Sequence, residues 1–224
     1  MFDRQRHEQI LKNILRDIYT TPELQGRLAF KGGTCLYMFY GLNRFSVDLD
    51  FNVISDTLPE EAVVNIIKKY LVIDDQMNKH FTWFWLGSYE KGKQRVKVEM
   101  SKRNYLDTYV NKNFYGITIP TMSTDCMFAH KLCAITDRKK LQNRDLYDAH
   151  FMFLKDFPIN EKIIELRTEK NIKEYFTYLI DFIEKKVNPN TILEGLGELI
   201  DNQQKDHIKA TLIRDLLFDL KSRV

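Results

Sequence analysis

The sequence predicts an α+β protein, with a mixed sheet flanked by helices over residues 1–121 and an all-helical domain over 122–224. Three observations carry that reading. Stretches of two-residue alternation, Arg44 to Phe51 and Gln94 to Met100, sit among helical-period segments in the first half. Beyond residue 122 the apolar spacing is helical throughout. Between the halves, Ile117-Thr-Ile-Pro120 followed by Ser123 and Thr124 reads as the end of a strand and the start of a new helix.

The elements follow in order. Ile10, Leu11, Ile14, Leu15 and Ile18 make a helix over 5–19 that Thr21-Pro22 stops, with a short helix at about 22–28. Leu28-Ala-Phe-Lys-Gly-Gly-Thr reads as a strand, a tight Gly-Gly turn and a helix running to Gly41. The alternation from Arg44 to Phe51 is a strand with one covered face, so Asp48 and Asp50 point the same way. A helix over 58–73 carries Glu60 and Glu61 in its first turn, where the helix dipole favours acids. Strands at Phe81 to Leu86 and Gln94 to Met100 come next, joined near Gly92, and the second puts Arg95, Lys97 and Glu99 on one polar face. Helices are expected at 124–137, 143–156, 160–168, 171–186, 190–202 and 205–221, with breaks at Phe157-Pro158 and Asn188-Pro189.

Composition narrows the class. Of the 224 residues 44% are hydrophobic and 29% charged, the balance of an ordinary soluble globular protein. No apolar run reaches membrane-spanning length and the N-terminus lacks a signal-peptide core, so a cytoplasmic location is expected. Cys35, Cys126 and Cys133 have no metal-site spacing and read as small buried hydrophobes. A net charge of +3 shows no global commitment to nucleic acid.

Local chemistry is concentrated in two places. Asp48-Leu-Asp50 on a strand aims two carboxylates at one point, which suits a magnesium ion, although two aspartates can also be no more than a solvent face. Upstream, Gly32 and Gly33 would let backbone N–H groups approach a triphosphate at a helix N-terminus, with Thr34 adding a hydroxyl and Lys31 a charge. This is neither a Walker A loop nor a dinucleotide fingerprint, because the glycine spacing of both is missing. In the second half, Lys131 lies among apolar residues and either snorkels to water or faces a cleft. Asp145 and Asp148 share a helix face, as caps, as partners of Arg138 and Arg144, or as site residues.

Joined in this order, the Gly-Gly-Thr turn, a short helix and the Asp-x-Asp strand resemble the nucleotidyltransferase fold shared with DNA polymerase beta. In such enzymes a third carboxylate commonly comes from a later strand. Glu99 is the nominee, with a cross-strand partnership to Arg95 or Lys97 as the other reading. More closely, Phe30-Lys-Gly-Gly-Thr34, Arg44-Phe-Ser-Val-Asp-Leu-Asp-Phe51, Ala129-His-Lys-Leu-Cys-Ala134 and Arg144-Asp-Leu-Tyr-Asp148 resemble the AbiEii/AbiGii family of nucleotidyltransferase-like toxins over residues 28–150. The resemblance implies Mg²⁺ (or Mn²⁺), a nucleoside triphosphate donor, an RNA acceptor such as tRNA, and a cognate antitoxin in a toxin–antitoxin or phage abortive-infection system. By the same motif, Gly33 and Thr34 would contact the triphosphate and Asp48 and Asp50 would hold metal. Lys131 and Asp145, with Asp148 as the alternative, would complete the site from the helical half across a cleft. Arg44 would contact a phosphate or orient the aspartates.

The reaction so implied is in-line attack of an acceptor hydroxyl on the α-phosphate, with two metal ions neutralising developing charge. Lys91, Lys93, Arg95, Lys97, Lys102 and Arg103 form a local basic cluster for RNA phosphates, or else protect a strand edge. The rival functions are an antibiotic-type enzyme that modifies a small-molecule hydroxyl, and an inactive nucleotidyltransferase fold kept as a binding module.

Overall fold

The computed structural model describes residues 3–89 and 94–224, so Gly92, Lys91 and Lys93 of the expected hairpin lie outside the described residues. The chain divides into two units. One holds Met1–Gly41, Ser46–Asn104 and Tyr109–Met122; the other holds Leu42–Phe45, Tyr105–Thr108 and Ser123–Val224. The long stretches change hands between Met122 and Ser123, and two short segments from the first half of the chain belong with the helices.

The first unit is a seven-stranded mixed sheet with helices. Asp3 caps α1 (Arg4–Thr20) by accepting from the Arg6 backbone N–H. Its apolar stripe buries Leu11, Ile14, Leu15 and Ile18. A single 3₁₀ turn at Pro22–Leu24 stands where a short helix is expected. Then come β1 (Leu28–Lys31), α2 (Gly32–Tyr40), β2 (Leu49–Val53), α3 (Glu60–Lys68), β3 (Val72–Lys79), β4 (Thr82–Ser88), β5 (Arg95–Ser101), β6 (Tyr109–Phe114) and β7 (Ile117–Met122). The strand order is β3-β4-β5-β2-β1-β7-β6, with β1–β7 and β2–β5 parallel and the other pairs antiparallel.

Three further elements of this unit differ from the sequence expectation. The strand expected from Arg44 begins only at Leu49, so Asp48 lies just before it. The helix expected to 73 ends at Lys68, and Val72–Lys79 is an edge strand instead. Its residues are mostly exposed, so it carries no apolar alternation to read. β6 is a second edge strand, joined to β7 through Tyr115 and Gly116, both at positive φ. A two-residue turn of that kind matches strand twist, but tyrosine is a poor advertisement for it.

One face of the sheet carries Phe30, Phe51 and Met100, in register across β1, β2 and β5 and fully buried. Tyr19 of α1 and Phe39 of α2 pack their rings on this face, against Phe51 and Phe30. Val98 and Trp85 extend the same face, and the polar residues of the interleaved positions fall on the other.

In the second unit α4 (Thr124–Asp137), α5 (Asn143–Leu154), α6 (Glu161–Thr168), α7 (Ile172–Lys186) and α8 (Asn202–Lys221) follow the expected helices closely. Phe128, Phe153, Tyr175, Phe176 and Leu212 lie in its core. The helix expected over 190–202 is a 3₁₀ turn at Pro189–Thr191 followed by further turns. Gly195, at φ +73°, takes a left-handed conformation that a helix interior does not accommodate. No described helix is long and apolar enough to cross a membrane. All three cysteines are buried and free.

Candidate active site

In the sheet unit the Gly-Gly turn and the aspartates are built as one object. Gly32 has φ +81°, and a Cβ there would lie 2.5 Å from Asp50 Oδ2. Glycine is required twice at this position, once by the backbone and once by the carboxylate against it. The turn opens α2, whose first N–H groups have no intrahelical acceptor and favour an anion. Thr34, expected at the triphosphate, is instead buried. Its hydroxyl engages Ser46 Oγ at 2.9 Å and the backbone carbonyl of Asp48. The hydroxyl therefore ties the first turn of α2 to the loop that delivers the aspartates.

Register then lines up the charges. Lys31 of β1 pairs with Asp50 of β2, and Asp50 pairs with Glu99 of β5. Directly paired residues stand on the same sheet face, so Lys31, Asp50 and Glu99 form one row across three strands. Asp48 Oδ1 accepts the Lys97 backbone N–H at 3.2 Å, which anchors the first aspartate one step back along the same pair of strands. The Lys97 ammonium lies 2.7 Å from Glu99 Oε2 and 3.7 Å from Asp50 Oδ1. Burial would lower its pKa, but the carboxylates of Asp50 and then Glu99 outweigh that and raise it. The sequence offers Lys97 both as an RNA-facing lysine and as a partner of Glu99, and the fold shows the partner.

The donor set suits a hard divalent cation in its open form. Among the described residues no three carboxylates, histidines or cysteines make a preformed metal cage. Magnesium needs no such cage, because it is usually held by one or two carboxylates, with waters and substrate phosphates completing its shell. Asp48 and Asp50 are a carboxylate pair of that kind, and the half-exposed Glu99 stands next in the row.

The helical unit holds a second charged cluster. Arg44, in the Leu42–Phe45 segment, donates from Nε to Asp148 Oδ1 at 2.6 Å and from Nη2 to Asp148 Oδ2 at 2.7 Å. Its Nη1 donates to the Phe45 carbonyl, so all three nitrogens serve the fold. This departs from the expectation that Arg44 meets a phosphate or orients the strand aspartates: its guanidinium is buried in a forked pair with a different aspartate. Lys131 lies 2.7 Å from Asp148 Oδ2 and 3.6 Å from Asp145 Oδ1. Arg138 Nε lies 2.7 Å from Asp145 Oδ2. Neither carboxyl oxygen of the fully buried Asp145 has a well-aligned hydrogen bond, so Arg138 and Lys131 hold it as charges. Burial would raise the Asp148 pKa, but Arg44 and then Lys131 hold it down at about 2.

The sequence model of the family of AbiEii nucleotidyl transferase toxins of type IV toxin–antitoxin systems matches residues 13–221. The chain belongs to the AbiEii nucleotidyltransferase toxin family. It is accordingly a nucleotidyltransferase, and the family implies an antitoxin partner. The fold agrees with three solved structures. JHP933 from Helicobacter pylori is 21% identical with a TM-score of 0.56, covering 98% of this chain and 94% of the other. A provisionally named nucleotidyltransferase from H. pylori is 21% identical with a TM-score of 0.59, covering 98% and 96%. The nucleotidyltransferase toxin MenT4 from Mycobacterium tuberculosis is 17% identical with a TM-score of 0.55, covering 100% and 91%. No curated protein sequence matches the chain.

Within this AbiEii-family chain the described members of the expected basic cluster, Arg95, Lys97, Lys102 and Arg103, each have a partner. Arg95 lies 3.6 Å from Asp74 Oδ2, and the Lys102 ammonium sits 3.6 Å above the Trp83 ring. β5 is also an interior strand, so edge protection does not explain its lysine. Ser46 is the site residue whose role sequence reasoning missed. The serine lies two positions before the first aspartate, which was its only signal.

Proposed function

We propose that this toxin transfers a nucleotidyl group from a nucleoside triphosphate to a hydroxyl of an RNA, with tRNA as the leading class, in a phage abortive-infection setting in the cytoplasm. The observation that carries the proposal is the contact between Gly32 and Asp50. A helix start, which favours anions, lies beside a carboxylate, which favours a hard cation, and this supports a metal–triphosphate substrate, which needs both.

The residues divide the work. Backbone N–H groups of Gly33 and Thr34 at the start of α2 receive phosphate oxygens, and Lys31 adds positive charge beside them. Asp48 and Asp50, with Glu99 next in the row, would hold Mg²⁺ or Mn²⁺. The cation would supply neutralisation of the charge that builds on the attacked phosphate and the leaving pyrophosphate. Glu99 accepts the proton of the attacking hydroxyl as the new oxygen–phosphorus bond forms. The bond from the α-phosphorus to the bridging oxygen breaks, and pyrophosphate leaves with that electron pair. Lys97, at 2.7 Å from Glu99 and 3.7 Å from Asp50, keeps the two carboxylates from repelling each other before substrate arrives.

The test is incubation with each labelled triphosphate in turn, with total RNA in one arm and small-molecule hydroxyl acceptors in the other. Label in RNA supports the proposal. Label only in the small molecules would replace it with the antibiotic-type reading.

A further inference from the structure

The row of paired residues that carries the carboxylates continues beyond them. Glu99 of β5 pairs with Phe84 of β4, and Phe84 pairs with Met77 of β3. Lys31, Asp50, Glu99, Phe84 and Met77 thus form a single line across five strands on one face of the sheet. Leu86 stands on that face as well, paired with Lys97. Phe84, Leu86 and Met77 are all half-buried, whereas the neighbouring Trp85 points to the other face and is 2% exposed. An apolar trio beside carboxylates, on the face that otherwise carries the charges of β5, is not part of the core that Trp85 and Val98 build.

Its place in the row gives it a use. The anion-binding turn lies at the end of β1, on one side of Asp50, whereas Glu99 and Phe84 lie one and two strands away on the other side. With strands about 4.8 Å apart, Phe84 stands about 10 Å from Asp50, roughly the distance from a ribose hydroxyl to the far edge of its own base. We infer that Phe84, flanked by Leu86 and Met77, is the stacking platform for the terminal base of the acceptor. An aromatic ring recognises a base through its π-face without demanding a particular sequence, and it holds the terminal ribose toward Glu99. This rests on the triphosphate occupying the turn at Gly32 to Thr34.

The experiment compares wild type with Phe84→Ala, Phe84→Leu and Phe84→Trp in two assays. In the first, initial rates of labelled nucleotide transfer to total RNA are measured against RNA and against triphosphate. Phe84→Ala and Phe84→Leu should raise the RNA KM about tenfold, within the range for losing one base–aromatic stack, with the triphosphate KM unchanged and Phe84→Trp close to wild type. In the second, fluorescence anisotropy follows binding of a labelled single-stranded hexaribonucleotide, which requires no transfer; the same order of variants is expected. If Phe84→Leu performs as wild type does, the ring is packing only and the inference falls. If Phe84→Ala moves the triphosphate KM instead, the platform belongs to the donor and the inference falls equally. If RNA is never labelled but the hexaribonucleotide still binds in a Phe84-dependent way, the transfer proposal fails while the platform stands. Loss of both signals in wild type overturns both.

Discussion

Gly32 and Asp50 are packed so closely that a methyl group on the first would collide with the carboxylate of the second, at 2.5 Å from Oδ2. Gly32→Ala should therefore damage the site beyond its backbone cost. The positive φ alone costs about 1–2 kcal/mol in an L-residue, which corresponds to roughly 2–8 °C in Tm for a chain of this size. Gly26, at φ +69° with open space around its Cβ position, supplies the control. Both alanine variants should lose similar stability by thermal melting. Only Gly32→Ala should lose nucleotide transfer, by about a hundredfold, as expected when a catalytic carboxylate is displaced.

Arg44 and Asp148 form a buried forked pair; removing Asp148 leaves the Arg44 guanidinium buried without its carboxylate, whereas removing Arg44 leaves Asp148 with Lys131 at 2.7 Å. Asp148→Ala should cost about 3–5 kcal/mol in denaturant unfolding, and Arg44→Ala less, because Lys131 stays beside the carboxylate. The apolar double replacement Arg44→Met with Asp148→Leu should recover most of that loss. Equal losses in the single and double variants would mean that packing, not charge, dominates.

The same pair sets an acid limit. The Asp148 pKa is about 2 in the folded protein against an ordinary 3.8. A depressed carboxylate contributes stability that is fully present above about pH 4 and lost as pH falls toward about 2, amounting to roughly 2 kcal/mol. The stability gap between wild type and Asp148→Asn should accordingly narrow across that window. A gap unchanged from pH 5 to pH 2 would contradict the ion-pair account.

Lys97 places a positive charge within 3.7 Å of Asp50 and 2.7 Å of Glu99, where a divalent cation would be held. Lys97→Met should tighten Mn²⁺ binding by several-fold in calorimetry, because a like charge has been removed. Turnover should fall in the same variant. Unchanged Mn²⁺ affinity would separate the lysine from the cation site.

Much of the sheet unit was legible because its signals are local. The glycines, Asp48 and Asp50 occupy one short span, and the alternation in β5 marks Lys97 and Glu99 as neighbours on one face. The structure adds what only pairing between distant strands creates. The row from Lys31 to Met77 depends on the β1–β2, β2–β5, β5–β4 and β4–β3 registers, which no single segment encodes. Edge strands β3 and β6 were hidden because exposed strands carry little hydrophobic pattern. Arg44 was misread for a different reason, the distance in sequence of its partner. Its motif neighbours are the strand aspartates, whereas its partner, Asp148, lies 104 positions away.

The most direct test of the account is nucleotide transfer by the Asp48→Ala, Asp50→Ala double variant. Wild type should label cellular RNA from at least one triphosphate, lose that activity on chelation of divalent cations, and regain it with Mg²⁺ or Mn²⁺. The folded double variant should label RNA at a rate lower by at least about a thousandfold, the scale of losing the cation site. Transfer that persists at the wild-type rate without both aspartates would contradict the assignment of this turn and strand as the active site.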